Sequence, residues 1–420
     1  MHSSYAKSKH EMPAINRQHI NGATIRGRHV MWAAGAAICV TYILSTLPTP
    51  LYPVYEQRFY FSRIILTVIY AVYVIGTITA MFFFGRLSDQ VGRRIVVLIS
   101  LGIAAAAALV FALAQAMWWL FPGRILSGLG IALVSGAATA WIVESEPDED
   151  KAVATQFAIA ANFLGLGIGP LMAGIFAQYL PWPLRLPYGV FIVALVPLSI
   201  VIWKTEETLC KPRSLGDASV KPRLAVPREI MGTFIPAAVA AFATFAVLGF
   251  YTALLPSLLQ NGLQNRNHAV AGAVVAELFF AGTIVIALTR RLRSDLGLLI
   301  GLCALVPSLG LIVVAENARS MLILLLGTAL SGVATGLGYR CSLQQVNESA
   351  PDNQRSEIVS AYLIACYAGI SLPVIGVGIM GNATGMATAD IIFAVFIGLL
   401  AAFAVIVQSG HSRKEVRSKK

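Results

Sequence analysis

Few side chains in this sequence can do chemistry, and two of them stand inside long apolar runs: Glu277 in AVVAELFFAG and Arg124 at the head of RILSGLGIALVSGA. A charge held in oil costs at least ~2.5 kcal/mol unless it is paired, so it marks a functional site by default. A carboxyl kept from water can exchange its charge for a proton, and a guanidinium there can hold an anion or tune such a proton. Two plainer readings stand beside these. Glu277 can be static and hydrogen-bonded to a neighbouring helix, and Arg124 can be structural, snorkelling towards the interface.

A third group lies between such runs. GRLSDQVGRR (85–94) separates MFFF from IVVLISLGIAAAAALVFALA. Gly85 and Gly92 let the chain leave one helix and enter the next with closely packed backbones. Asp89 suits a neighbouring helix amino terminus. Arg93 and Arg94 can reach acids at an adjacent helix end, with Glu144 the best candidate. Contacts of this kind must break when that side opens, which makes the loop a conformational latch. The rest of ESEPDED (144–150) reads as a solvated loop, and Glu206 and Glu207 are weaker candidates for the latch. A fourth group, Gly165, Gly169, Pro170 and Gly174 in GLGIGPLMAG, offers a stripe for close helix packing and a proline that frees a carbonyl and kinks its helix.

Other chemistry is missing. There is no G-x-x-x-x-G-K-[ST] phosphate loop, and His10-Glu11 lacks the second histidine of a metalloprotease helix. The five cysteines (Cys39, Cys210, Cys303, Cys341, Cys366) contain no Cys-x-x-Cys and read as free thiols. The irregular His2, His10, His19 and His29 read as part of a basic tail. No cofactor, metal or enzymatic activity is expected.

The elements that position these groups follow from composition. The chain is 57% hydrophobic and 12% charged, with mean hydropathy +0.75. A soluble domain carries about 25% charged residues. Runs long enough to cross a bilayer are expected near 30–52, 63–84, 95–116, 118–143, 153–178, 187–203, 231–255, 268–289, 296–315, 319–342, 357–380 and 389–408. With both termini cytoplasmic, all but six of the 31 Lys and Arg fall on the cytoplasmic side. The exceptions are Arg58, Arg63, Arg185, Arg266, Arg319 and the intramembrane Arg124. The net charge of +11 therefore reflects topology in a lipid bilayer and not nucleic-acid binding.

The chain also repeats itself at an offset of 204 residues. GRILSG (123–128) returns as GTALSG (327–332), ESEPD (144–148) as ESAPD (348–352), Lys151 as Arg355, and Gly165 as Gly369. A worn copy of the 85–94 loop keeps Arg291 and Asp295. The expected architecture is all-α: a basic tail (1–29), a six-helix bundle (30–203), a central loop (204–230), a second six-helix bundle (231–408) and a second basic tail (409–420). Parallel repeats of this kind place a central site between the halves.

GRLSDQVGRR is similar to the loop signature of the major facilitator superfamily, the Arg124 stretch resembles that family's fourth-helix motif, and GLGIGPLMAG resembles the helix 5 motif of its drug:proton antiporters, with Ala173 in place of a glycine. The resemblance implies a secondary active transporter in a bacterial inner membrane, a monomer working by alternating access. Its substrates would be small amphipathic organic compounds exported against protons; the alternative is proton-coupled import of a small metabolite. The first span lacks the acid that some antiporters hold there, which places proton coupling on Glu277, with Arg124 as its companion. A second-half latch is expected from Arg291 or Arg293 with Glu348.

Overall fold

The computed structural model describes residues 27–85, 87–146, 151–209, 226–351 and 354–418. Twelve long helices account for most of it: α1 (Arg28–Thr46), α2 (Arg63–Phe84), α3 (Arg93–Ala112), α4 (Leu120–Glu144), α5 (Lys151–Tyr179), α6 (Leu186–Trp203), α7 (Met231–Ala253), α8 (His268–Leu288), α9 (Ser294–Ala318), α10 (Met321–Ser349), α11 (Arg355–Thr384) and α12 (Met386–Ser418). Inside hydrocarbon every backbone N–H and C=O must be satisfied within its own segment, and helices achieve this. Each expected span coincides with one helix, and twelve are long and apolar enough to cross a membrane. Several helices run past their apolar stretch. α10 continues to Ser349 and α12 to Ser418, because hydropathy marks the oil whereas helical hydrogen bonding carries on into polar sequence.

Where prolines cluster, the first span breaks. α1 stops at Thr46, a single turn covers Thr49–Leu51, and a short helix follows at Tyr52–Phe59, with Pro53 in its first turn. α7 ends similarly before Leu255–Asn261, which begins with Pro256. Both breaks lie on the face opposite Gly85–Arg94; these are called the far face and the loop face below.

Within the first half, α4 packs on α1, α2 and α3; within the second, α10 packs on α7, α8 and α9. The halves meet along two seams, α5 with α8 and α2 with α11. Large apolar side chains such as Val193, Leu326, Leu399, Phe403 and Ile406 point outward. In water such a surface would aggregate; in a bilayer it is the solvated surface.

The α5–α8 seam is a backbone contact. A Cβ on Gly174 would stand 2.5 Å from the His268 carbonyl and 3.1 Å from the Gly272 Cα. On the other side of α5, a Cβ on Gly165 would collide with the Cys39 carbonyl, and one on Gly169 would come 2.5 Å from Thr46 Oγ1. α5 is therefore wedged between α1 and α8 and does not face lipid. Pro170 has no N–H, so the Leu166 carbonyl loses its helical donor. The Thr46 hydroxyl donates to that carbonyl at 2.9 Å.

Two outcomes follow for this seam. Gly169→Leu should lower the thermal unfolding midpoint of the detergent-purified protein, since overfilling a packed interface costs about 1–3 kcal/mol. Thr46→Val should cost about 0.6 kcal/mol, a usual value for a hydrogen bond between membrane helices. Its effect should fall towards zero in a Pro170→Ala background, where the Leu166 carbonyl regains a donor. A double-mutant cycle on unfolding midpoints checks this, and equal effects in both backgrounds would disconnect the two residues.

Candidate functional site: the cavity between the halves and its latch

A cavity of about 360 Å³ opens at the loop face between the halves. Gly85, Ser88 and Asn347 line its mouth, and its inner wall includes Ser135, Asn162, Tyr339 and Tyr367. The same four residues border a smaller space of about 60 Å³ that reaches Arg124, Tyr42, Tyr70 and Thr252. The size and the mainly apolar wall with a few polar groups suit a small organic ligand. Aromatic contacts cross between the halves at this depth: Tyr73 with Tyr367 at 6.4 Å and Phe163 with Phe279 at 5.7 Å between ring centres. Beyond them, the Tyr70 hydroxyl and Thr252 Oγ1 share a hydrogen bond of 2.6 Å that joins α2 to α7 and helps seal the far face.

Arg124 forms the deep end of this space and is 1% exposed. Its Nη1 donates to the Ser45 carbonyl at 2.7 Å, just before α1 breaks. The guanidinium carbon lies 5.4 Å from the Tyr52 ring centre and 5.5 Å from that of Tyr70, within cation–π range. Nε and Nη2 have no hydrogen-bond partner among the described residues. A buried guanidinium with two idle donors can accept an anionic group from a ligand.

Glu277 sits mid-way along α8, half-buried, and does not line either part of the cavity. Its Oε2 is buried without a hydrogen-bond partner. On the neighbouring α7, the Tyr251 hydroxyl donates to Thr328 at 3.1 Å and to Ser331 at 3.4 Å. Thr328 is the residue that the 204-residue offset pairs with Arg124. The structure therefore does not bring Glu277 and Arg124 together.

The contacts expected of the latch form a network around Arg93 although the cavity opens at this same face, so opening of the face seen here does not require them to break. Arg93 pairs with Glu144 at 2.8 Å, contacts Asp89 closely and donates to Ser88 Oγ at 2.7 Å. Asp89 thus serves Arg93, one turn away at the amino terminus of the next helix. The Arg94 side chain departs from expectation: its Nη1 reaches the Trp203 and Thr205 carbonyls, both at 3.4 Å, and no acid among the described residues. The acid that completes the network is Glu207. It accepts the backbone N–H groups of Arg93 and Arg94, each at 2.9 Å, at the start of α3. Gly92 makes room for it: φ is +115°, and a Cβ would stand 2.5 Å from Glu207 Oε2. Arg86 of the same motif lies outside the described residues.

The expected second-half latch is not formed. Arg293 pairs with Asp295 at 2.8 Å, while Glu348 accepts from Ser294 at 3.1 Å and from Gln344 at 2.8 Å. Arg291 makes no ion pair among the described residues; it lines a polar cleft with Arg290 and Asp295. The anchor here is Arg340, which the sequence placed at the cytoplasmic end of a span and which is 1% exposed within α10. It donates to Thr289 Oγ1 at 2.9 Å and to the Arg290 and Leu292 carbonyls at 3.2 and 3.1 Å, and closely contacts the Thr289 carbonyl. Three of these four partners are main-chain oxygens, which leave no signature in a sequence.

Substitutions separate these parts. Gly92→Ala should be the most damaging single change in the loop, because both backbone angle and space forbid the methyl; a cost of about 1–3 kcal/mol is expected for the angle alone. Arg93→Ala should cost on the order of 2 kcal/mol, below the value for a fully buried pair because Glu144 is 38% exposed. Asp89→Asn, at a side chain 55% exposed, should cost least. Unfolding midpoints in detergent give the order, and Asp89→Asn ranking above Gly92→Ala would contradict this geometry.

The chain resembles known transporters. Residues 34–374 match the family model described as Major Facilitator Superfamily. The tetracycline resistance protein, class B, of Escherichia coli is 33% identical over 115 residues, covering 27% of this chain and 28% of that protein. Multidrug resistance protein 2 of Bacillus subtilis is 25% identical over 151 residues, covering 36% and 37%. The inner membrane transport protein YajR of Escherichia coli is 21% identical over 306 residues, covering 69% and 63%. The chain thus spans about a quarter to a half of the length of the first curated relatives it matches. A bacterial homolog of the human lysosomal transporter Spinster, solved in an inward-facing and unoccupied conformation, superposes with a TM-score of 0.63 at 16% identity over 91% of this chain and 97% of that one. At that identity the likeness is one of fold. With a family match over most of its length, twelve spanning helices in two repeated halves and a cavity between them, this chain belongs to the major facilitator superfamily, whose members are transporters rather than enzymes.

Proposed function

We propose that the chain is a proton-coupled exporter of small amphipathic organic compounds that works by alternating access. The observation that carries this reading is the cavity between the halves, open at the loop face and closed beyond Arg124 by the Tyr70–Thr252 contact. The Lys and Arg distribution makes the loop face cytoplasmic. Substrate then enters from inside, among Tyr339, Tyr367, Asn162 and apolar neighbours, and the latch network holds the first half together while the halves rock. The names of the tetracycline and multidrug resistance relatives support export.

Coupling requires a group whose protonation differs in value between the two conformations. Glu277 meets that need best. It carries an unpartnered buried oxygen, and the repeat offset pairs it with Tyr73, which lines the deep cavity. Protonation removes a charge from a place where charge is costly and frees the carrier to reorient. Import of a small anionic metabolite is the second reading, favoured by the idle donors of Arg124.

Proteoliposome flux under an imposed pH gradient tests both. Glu277→Gln should abolish uphill transport of amphipathic compounds while sparing downhill exchange. Arg124→Ala should weaken binding of anionic compounds at least about tenfold if the guanidinium holds substrate, the loss expected for a charge-assisted pair. If the guanidinium tunes the proton, the same substitution should move the pH dependence instead. Uphill pumping by Glu277→Gln at the parent rate at every pH would remove Glu277 from the coupling step.

A further inference from the structure

A second carboxyl site lies far from Glu277, at the far face. A pocket of about 220 Å³ is bordered by Arg63 at the start of α2, by Ser257 and Asn261 of the short helix after α7, by Glu316 near the end of α9, and by Asp390 near the start of α12. Asp390 is 4% exposed. No amide, hydroxyl or cationic group donates to its Oδ1 among the described residues. The other carboxyl that borders this small pocket is that of Glu316. One carboxyl can donate to another only when one of them keeps its proton. Arg63 belongs to the first half and borders the pocket without forming an ion pair among the described residues, and Glu56 does not line the pocket. No other titratable side chain borders the pocket among the described residues.

We propose that Glu316 and Asp390 form a proton-binding pair that stabilises closure of the far face. With one shared proton the pair carries a single negative charge, which the nearby guanidinium of Arg63 offsets across the seam between the halves. Loss of that proton leaves two like charges together away from water, a state the closed pocket tolerates poorly. Opening the far face hydrates both carboxylates and relieves the repulsion. The closed form therefore binds the proton more tightly than the open form. The sign follows by linkage: acid favours closure of this face, and alkali favours its opening. The site is separate from Glu277 and would act whether or not Glu277 carries the coupled proton.

The test is the distance between spin labels at Tyr60→Cys and Arg266→Cys, exposed positions on opposite halves of the far face, in the full chain with its native cysteines replaced by serine and reconstituted in lipid. As the medium is taken from mildly acid to mildly alkaline, the ratio of long to short distances should rise by up to about tenfold per pH unit, the limit for one linked proton. Asp390→Asn and Glu316→Gln should each stay at the short distance throughout, because an amide can donate to the remaining carboxyl without titrating. Arg63→Gln should move the transition to lower pH, since the closed pair loses a counter-charge that the hydrated carboxylates of the open form need less. Glu277→Gln should leave the transition in place even where it abolishes uphill transport. A parent distance that does not respond to pH, amide variants that open on alkali as the parent does, or an Arg63→Gln transition that stays at the parent pH each overturn the proposal.

Discussion

The structure depends on two backbones meeting with nothing between them. Where α5 crosses α8, Gly174 and Gly272 let the helices approach until a single methyl would strike main chain. Lipid is as apolar as a leucine side chain, so membrane helices gain little by burying bulk against each other, and close packing of small residues does the work. The seam leaves a cavity at its side because small residues hold the helices together there without filling the space beyond. The kink-forming Pro170 sits in the same stretch, and its freed carbonyl is served by Thr46 from α1, so the helix at the seam is bent without leaving a backbone group orphaned.

Helix ends solve the problem of charge. Arg94 reaches carbonyls at the end of α6, and Arg340 gathers those that follow α8. Glu207 caps the first N–H groups of α3. The last carbonyls of a helix carry partial negative charge and its first N–H groups partial positive charge, and both lack partners of their own. One ionic side chain thus meets its own need and that of a helix end together. Arg93 with Glu144 and Asp89 is the exception, a side-chain ion network, and it sits where the loop is tightest.

The two halves keep one plan and differ in its execution. The first half anchors its loop with acids and Gly92; the second has lost the glycine and the trailing arginine pair, and Arg340 takes over from within α10. Arg124 and Thr328 occupy matching places, yet one is a cation with idle donors at the deep end of the cavity and the other accepts a tyrosine hydroxyl. A repeat constrains the packing surface, where both copies need small residues. Polar positions are free to diverge because each needs only some partner within reach.

Hydropathy, charge asymmetry and the 204-residue offset determined the number of helices, their halves and the places where loops fall, because a bilayer forces apolar length and a closed backbone upon any sequence that crosses it. In GRLSDQVGRR an ion pair of Arg93 with Glu144 was legible, since opposite charges at helix ends on one face can be matched along a chain. Tertiary structure alone decided that Arg94 and Arg340 serve carbonyls, that Glu207 caps α3, that Glu277 stands away from the cavity lining, and that Glu316 and Asp390 border one pocket. The physical reason is the same each time. Every residue carries a carbonyl, so a main-chain partner is invisible in sequence, and which way a helix turns its one charged side chain depends on how tightly its neighbours let it approach.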